Sequence, residues 1–406
     1  MLGGDEARGD EEPERTAKAK RKAPNTCHSR RMARLASYRQ LVARLNPTAT
    51  PQESIGPGRY VARTEGSLGE RLARRMSLGP SAQLVVGAIG TGKTTELMRA
   101  VATAEHATSE HCDYIHYVSV IEDIGDSDSV GRGSLVACAA RELAHLAGPA
   151  AESEPDVADA VQTLEAFISD NGSNRPGNWD FRQDLVRPLR KLRERVLQPD
   201  AHVSFAFDSL DRLSPPARFF AAVEDDLKTL RAAGIGVVLV GPIRIAYAQE
   251  RAFSELFDEV HFFAPADPAT EDGRLFLRGM LTSRDDERII PDGIADALVQ
   301  ASGGVLRDLL SLAKRTAEEA YVQGHEPMLA ADAERAIDTF ARSLAFGLDD
   351  SDVAILRKLA ESGAFVIRGE RELTLIETRR VLTYANNRWA VHPTLRPLLE
   401  QIPGVA

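Results

Sequence analysis

The chain has 406 residues, 43% of them apolar and 27% charged, with a formal net charge of −10. That length suggests two to three domains around a sizeable core, and no run approaches the roughly 18 apolar residues of a membrane helix. Charge from Asp5 onward argues against a secretory leader, and the widely spaced Cys27, Cys112 and Cys138 argue against a disulfide framework or a cysteine zinc site, so a reducing cytoplasm is expected. An acidic chain is no general nucleic-acid wrapper, although a local basic patch stays open.

Residues 1–35 read as a tail. Asp5, Glu6, Asp10, Glu11, Glu12 and Glu14 precede a basic run from Arg15 to Arg34, with few apolar residues to offset chain entropy. Disorder is the expectation, a basic arm for nucleic acid or membrane the alternative. From Leu35 the pattern turns helical, with breaks at Pro47, Pro51 and Pro57, and Leu68, Leu72 and Met76 stand at helical spacing. Gln83–Gly87 is a short apolar run ending in glycine, hence a buried strand. A helix follows at about 93–105 and a further strand at Tyr114–Val120.

Residues 121–200 read as a helical insertion, with stretches near 133–147, 156–169 and 180–197. Pro188 predicts a kink in the last of these. Its basic residues (Arg182, Arg187, Arg190, Lys191, Arg193, Arg195) form either a solvated face or a docking surface. Strands resume at His202–Phe207, Gly236–Gly241 and Glu259–Phe263, separated by helices at 215–232 and 245–256. This alternation predicts an α/β fold with a parallel sheet covered on both faces, the Val237–Val240 run being central.

Beyond Pro265 the chain reads all-helical to about Phe346. A small α+β segment closes it: a helix at 350–362, strands at Ala364–Ile367 and Glu372–Ile376, and a hairpin from Leu382 to Val391 turning at Asn386-Asn387. The expected division is a tail (1–35), a sheet domain (36–265) carrying the insertion (121–200), a helical segment (266–346) and a closing domain (347–406).

Gly87-Ala88-Ile89-Gly90-Thr91-Gly92-Lys93-Thr94 matches G-x-x-x-x-G-K-[ST] at every fixed position, after an apolar strand and before a helix. Its glycines let main-chain N–H groups turn inward on phosphate oxygens, and the start of the helix adds its positive end. Lys93 would reach the β- and γ-phosphates, Thr94 would offer a hydroxyl to Mg²⁺, and Thr95 completes the phosphate-binding turn. A second buried strand, Val203–Phe207, ends in Asp208, the acid expected to hold Mg²⁺ partly through water; the lesser alternative is an N-cap or turn acid after a strand. Asp211 stands in Asp208-Ser209-Leu210-Asp211-Arg212. It would orient or deprotonate an attacking water, or else cap the following loop or pair with Arg212.

From about Tyr60 the chain resembles P-loop ATPases of the AAA+ and STAND group, in particular origin-recognition-like and NACHT-type members. Asp208-Ser209-Leu210-Asp211 is similar to the NACHT order of acid, small, apolar and acid, and Gly303-Gly304-Val305-Leu306-Arg307-Asp308-Leu309-Leu310 resembles a lid sensor 2 motif. The resemblance implies a P-loop sheet, a helical lid over 266–346 and a winged helix over 347–406, with ATP and Mg²⁺ as cofactors. It implies that Arg307 reaches the γ-phosphate and that Tyr60 and Val61 contact adenine. On residues alone Arg307 and Asp308 also read as a solvated pair, and Tyr60 and Val61 as core.

Two departures stand out. No polar sensor 1 residue ends the strand at Gly241-Pro242; the nearest charge is Arg244, which the resemblance to STAND proteins, where an arginine follows this strand, implies as a substitute sensor, and only Arg251 is a candidate for a trans-acting arginine. Weak sensors accord with slow hydrolysis, as in a switch. In the winged-helix-like segment, whose strand–wing–strand part would be Arg379–Pro393, Lys/Arg and Asp/Glu balance, which favours protein contact over DNA. His392 reads as a packed histidine or, by resemblance, as a β-phosphate contact. The resemblance thus implies an ATP-binding, slowly hydrolysing switch that acts on a protein partner or effector, with self-assembly left open and no membrane partner. The alternatives are a DNA-associated origin-recognition-like ATPase and a nucleotide-binding scaffold without turnover.

Overall fold

The computed structural model describes residues 26–55, 58–63, 67–107, 113–151, 154–171, 179–196, 201–247 and 255–401. Residues 1–25 of the expected tail, Arg251 and much of the expected helix at 245–256 lie outside the described residues.

The chain begins with α1 (Thr26–Arg44) and a short α2 (Pro51–Ile55). Residues 26–35 are therefore helical, not tail. The Arg34 guanidinium donates to the carbonyls of Ala320 and Tyr321 at 3.0 and 2.7 Å and lies over the Tyr38 and Tyr321 rings. Contacts with a segment nearly three hundred residues away hold a stretch whose own composition lacks apolar weight.

Five parallel strands form the central sheet: β1 (Ala82–Val86), β2 (Tyr114–Ser119), β3 (Val203–Asp208), β4 (Ile235–Gly241) and β5 (Glu259–Phe262), in the order β2-β3-β4-β1-β5. Every residue of β1, β3 and β4 is buried, as parallel strands covered on both faces require. On one face, α3 (Leu68–Met76) and α4 (Lys93–Ala107) pack Leu72, Met76 and Leu97 against Val85, Val238 and Val240. On the other lie α5 (Val120–Ile124), α6 (Ser134–Ala151), α7 (Pro155–Asn171), α8 (Val186–Val196) and α9 (Pro216–Ala232). Leu143, Phe167, Leu189 and Phe219 join Leu84, Phe205 and Leu239 there in one core. The stretch read as an insertion thus supplies most of a layer of the sandwich. Its last helix opens with a π-helical turn, Phe181–Leu185, that runs without a break into α8, so Pro188 lies one turn inside the continuous helix and leaves a carbonyl of the preceding π turn without its usual N–H donor.

Four further helices, α10 (Glu271–Thr282), α11 (Asp292–Ala301), α12 (Leu306–Gln323) and α13 (Ala330–Ala345), share a core with Tyr38 and Leu41 of α1 and Leu45 just after it. The chain closes with α14 (Asp350–Ser362), α15 (Glu370–Glu377), the antiparallel pair β6 (Val381–Thr383) and β7 (Trp389–Val391), and α16 (Arg396–Gln401). Neither strand expected at 364–376 forms. Residues 364–367 lie outside regular structure, and Glu372–Ile376 is helical, with buried positions 372, 375 and 376 at helix spacing. The Glu372 carboxylate accepts from Gly369 N at 3.0 Å and closes the first helical turn.

The closing unit is tied to both others. Arg244, just past β4, pairs with Glu370, with Glu377 at 2.5 Å, and with the Thr374 hydroxyl at 3.2 Å, all on one face of α15. Arg379 holds Asp308 of α12 through Nε and Nη2 at 2.9 and 3.0 Å. Tyr384 donates to the Gly303 carbonyl at 2.9 Å, and Arg388 pairs with Asp267 at 2.5 Å.

Candidate functional site

β1 delivers the glycine-rich turn to the carboxyl edge of the sheet, between β4 and β5. The turn needs its glycines for two different reasons. Gly90 and Gly92 have φ of +87° and +98°, a region that side chains rarely adopt. At Gly87, a Cβ would overlap the carbonyl oxygen of Phe263, the residue after β5. Within the turn the Thr91 hydroxyl donates to the Ala88 carbonyl at 2.9 Å. The buried Lys93 ammonium donates to the Gly87 and Ala88 carbonyls at 2.9 and 3.1 Å and lies 3.1 Å from Asp211 Oδ2.

β3 carries Asp208 to the same edge. Its buried carboxylate accepts from the Thr94 hydroxyl, the Ser209 N–H and, at Oδ2, the Tyr117 hydroxyl at 3.0 Å. Burial raises its pKa, with the charge of Asp211 adding to the effect, while the donated hydrogen bonds pull the other way. Ser209 follows with φ of 71°, an uncommon conformation for a residue with a Cβ, and the 3-10 turn Leu210–Arg212 then turns Asp211 toward Lys93. Of the roles open to Asp211, pairing with Arg212 is not the one seen; the lysine takes its carboxylate. A threonine hydroxyl against a buried carboxylate at the mouth of a phosphate-type turn is a hard-oxygen donor pair, and it fits Mg²⁺ completed by phosphate and water oxygens.

Helix α12 meets the turn directly. Arg307 N donates to the Gly90 carbonyl at 3.0 Å, and the Arg307 stem packs on Gly90 so closely that a Cβ there would come within 2.6 Å of Arg307 Cβ. The Arg307 guanidinium makes no ion pair with a described residue. Burial, and then the nearby Arg379, lower its pKa, although it stays protonated at any ordinary pH. On the opposite side Tyr60 donates to Glu96 Oε1 at 2.8 Å and lies beneath the Arg99 guanidinium, while Glu96 Oε2 accepts from Gly69 N at 2.9 Å.

Tyr60, Val61, Ile89, Gly90, Thr91, Gly92, Lys93, Thr94, Thr95, Asp208, Asp211 and Arg307 all line one cleft of about 530 Å³. Of the residues singled out in the sequence, Gly87 and Ala88 stand behind it and contribute carbonyls to Lys93. Arg244 is turned away into the closing unit and lines no part of the cleft, which overturns a sensor role for it. His392 is wholly buried beside Asp308, bonded to Thr394 at 2.9 Å, so the packed reading holds and the phosphate contact does not. Tyr117 and Glu96 escaped sequence reasoning: a tyrosine within a strand and an acid within a helix carry no local mark of function. Arg212 also lines the cleft, and it too forms no ion pair with a described residue.

No protein-family model matches the chain, and no curated protein matches it. Among solved structures it is similar to Drosophila ORC bound to DNA (12% identity over 94% of this chain and 83% of that one, TM-score 0.46). It is also similar to the Aeropyrum pernix ORC2 protein in ADPNP–ADP complexes (14%, 84% and 96%, TM-score 0.45). A third is the Thermotoga maritima RuvB Holliday junction branch migration motor (14%, 82% and 95%, TM-score 0.40). These likenesses are of outline only.

Proposed function

We propose that this chain is a slow, Mg²⁺-dependent ATPase of the AAA+/STAND kind. It would act as a cytoplasmic switch whose bound nucleotide sets how the lid and a C-terminal winged helix sit on the sheet domain. One observation carries the reading: Lys93, Thr94, Asp208, Asp211 and the lid residue Arg307 line a single cleft at the carboxyl ends of parallel strands. In it Lys93 and the N–H groups of the turn would grip the triphosphate, and Tyr60 and Val61 would flank the base. Thr94 and Asp208 would hold Mg²⁺, which when bound neutralises charge across the phosphates. Asp211, displaced from Lys93 by phosphate, would turn to the attacking water. Arg307 would fork onto the γ-phosphate.

The switch reading is supported by what stands next to that arginine. Arg307 meets the turn, and its chain neighbour Asp308 is gripped by Arg379 of the closing unit. Ala88 of the turn belongs to the closing unit's own apolar cluster, with Ile243 and Leu356. Gain or loss of a γ-phosphate would therefore bear on a helix turn that both units share. The partner proposed is a protein, and self-assembly would follow nucleotide state. Calorimetric titration with ATP, together with small-angle scattering in ADP and in a non-hydrolysable ATP analogue, tests this. Uptake of nucleotide with a different radius of gyration in the two states is expected. Identical scattering curves would sink the switch, and no uptake would sink the whole reading.

A further inference from the structure

Strands β2 and β3 run parallel and in register, Tyr117 beside Ala206 and Ser119 beside Asp208. Residues two apart on a strand share a face, so Tyr117 and Asp208 are diagonal neighbours, within reach of a long aromatic side chain. The small Ala206 leaves the ring of Tyr117 room to lie along β3, and the phenol donates to Asp208 Oδ2 at 3.0 Å. The ring packs against the apolar cluster beneath α3 and α4, and its hydroxyl stands at the site edge of that cluster. Asp208 is thus held from outside the glycine-rich turn and from outside its own strand.

We infer that Tyr117 is a positioning residue for the metal-binding carboxylate: by fixing one oxygen of Asp208 it fixes the plane of the group, leaving the carboxylate turned to Thr94 for a divalent ion. This rests on the nucleotide reading above. A tyrosine kept only for packing is replaceable by phenylalanine without consequence at Asp208. A positioning tyrosine is not, because the buried carboxylate loses a charge-assisted hydrogen bond and gains freedom to rotate.

The test is Tyr117→Phe in the full chain, with Mn²⁺ as the metal probe read by electron paramagnetic resonance in the presence of a non-hydrolysable ATP analogue. The affinity for Mn²⁺ is expected to fall by about three- to tenfold, while affinity for the analogue in EDTA changes less than about twofold, the size of effect a remote packing change produces. An unchanged Mn²⁺ affinity overturns the inference, as does an equal loss of metal-free nucleotide affinity. Should Tyr117→Phe fold poorly, Tyr117→His, which keeps a ring but moves the donor, replaces it with the same readings. A cycle with Asp208→Asn checks the route: Tyr117 acts through Asp208 only if Tyr117→Phe adds little to the loss that Asp208→Asn causes by itself, and additive losses overturn it. A wild-type chain that takes up nucleotide but no Mn²⁺ also overturns the inference, while one that takes up neither fails the nucleotide reading itself.

Discussion

The ammonium of Lys93 lies 3.1 Å from Asp211 Oδ2, so the lysine that would grip a triphosphate already holds a carboxylate. Asp211 offers Lys93 the same kind of charge as a phosphate oxygen, and the two acceptors compete for one donor. On the function proposed above, neutralising Asp211 has opposite effects on binding and on turnover. Asp211→Asn is expected to tighten ATP binding by about two- to fivefold, a modest gain because Asp211 is partly solvated. It is expected to lower phosphate release by at least about tenfold, through loss of the base. Calorimetry and a phosphate-release assay read the two effects. Undiminished turnover would remove Asp211 from water activation, and weaker binding would remove the competition.

The clamp between Arg379 and Asp308 is a second pair with a measurable consequence. Asp308 is buried, with Arg379 at 2.9 and 3.0 Å and His392 Nε2 at 3.7 Å, and Arg379 itself is mostly covered. Removing the guanidinium would strand a buried carboxylate, a change that costs about 3–5 kcal/mol. Arg379→Ala should lower unfolding free energy in urea by about 3 kcal/mol, and Arg379→Ala with Asp308→Ala should cost less than the two single changes together. Strict additivity would show that the clamp does not join the two units.

How much of this was legible in the chain follows from how local each feature is. The glycine-rich turn is eight consecutive residues between an apolar run and a helix, so its chemistry is written where it acts. Asp208 is legible for the same reason, as the acid that ends a buried strand. Arg244 was legible as a charge but not as a tether, because its partners Glu370 and Thr374 lie 126 and 130 residues away. The same holds for Thr26–Leu35, where a charged run reads as unfolded until Ala320 and Tyr321 supply acceptors for Arg34. At 364–376 the pattern was short enough to suit either period, and the Gly369–Glu372 cap decided it. Tyr117 and Glu96 had no signal, since which polar side chain on one element meets which on another is fixed by register.

A further relationship concerns pH. Asp226 of α9 is wholly buried and accepts the main-chain N–H groups of Gly133, Leu135 and Val136 at 2.7, 2.7 and 3.2 Å, at the start of α6. Burial pushes its carboxyl up to about 7, against the pull of those N–H groups. An unfolded aspartate titrates near 3.8, so between about pH 4 and 7 the folded chain binds more protons than the unfolded one. The stability this gives is complete below the unfolded value and is lost as pH rises through the folded one. From pH 5 to pH 8 the loss comes to about 2–3 kcal/mol. Asp226→Asn keeps an acceptor for α6 but does not titrate. The unfolding free energy of the wild type, measured in urea relative to that of Asp226→Asn, is therefore expected to fall by that amount over the interval. Curves that stay parallel from pH 5 to pH 8 would mean that the carboxylate is held ionised by the three N–H groups despite its burial.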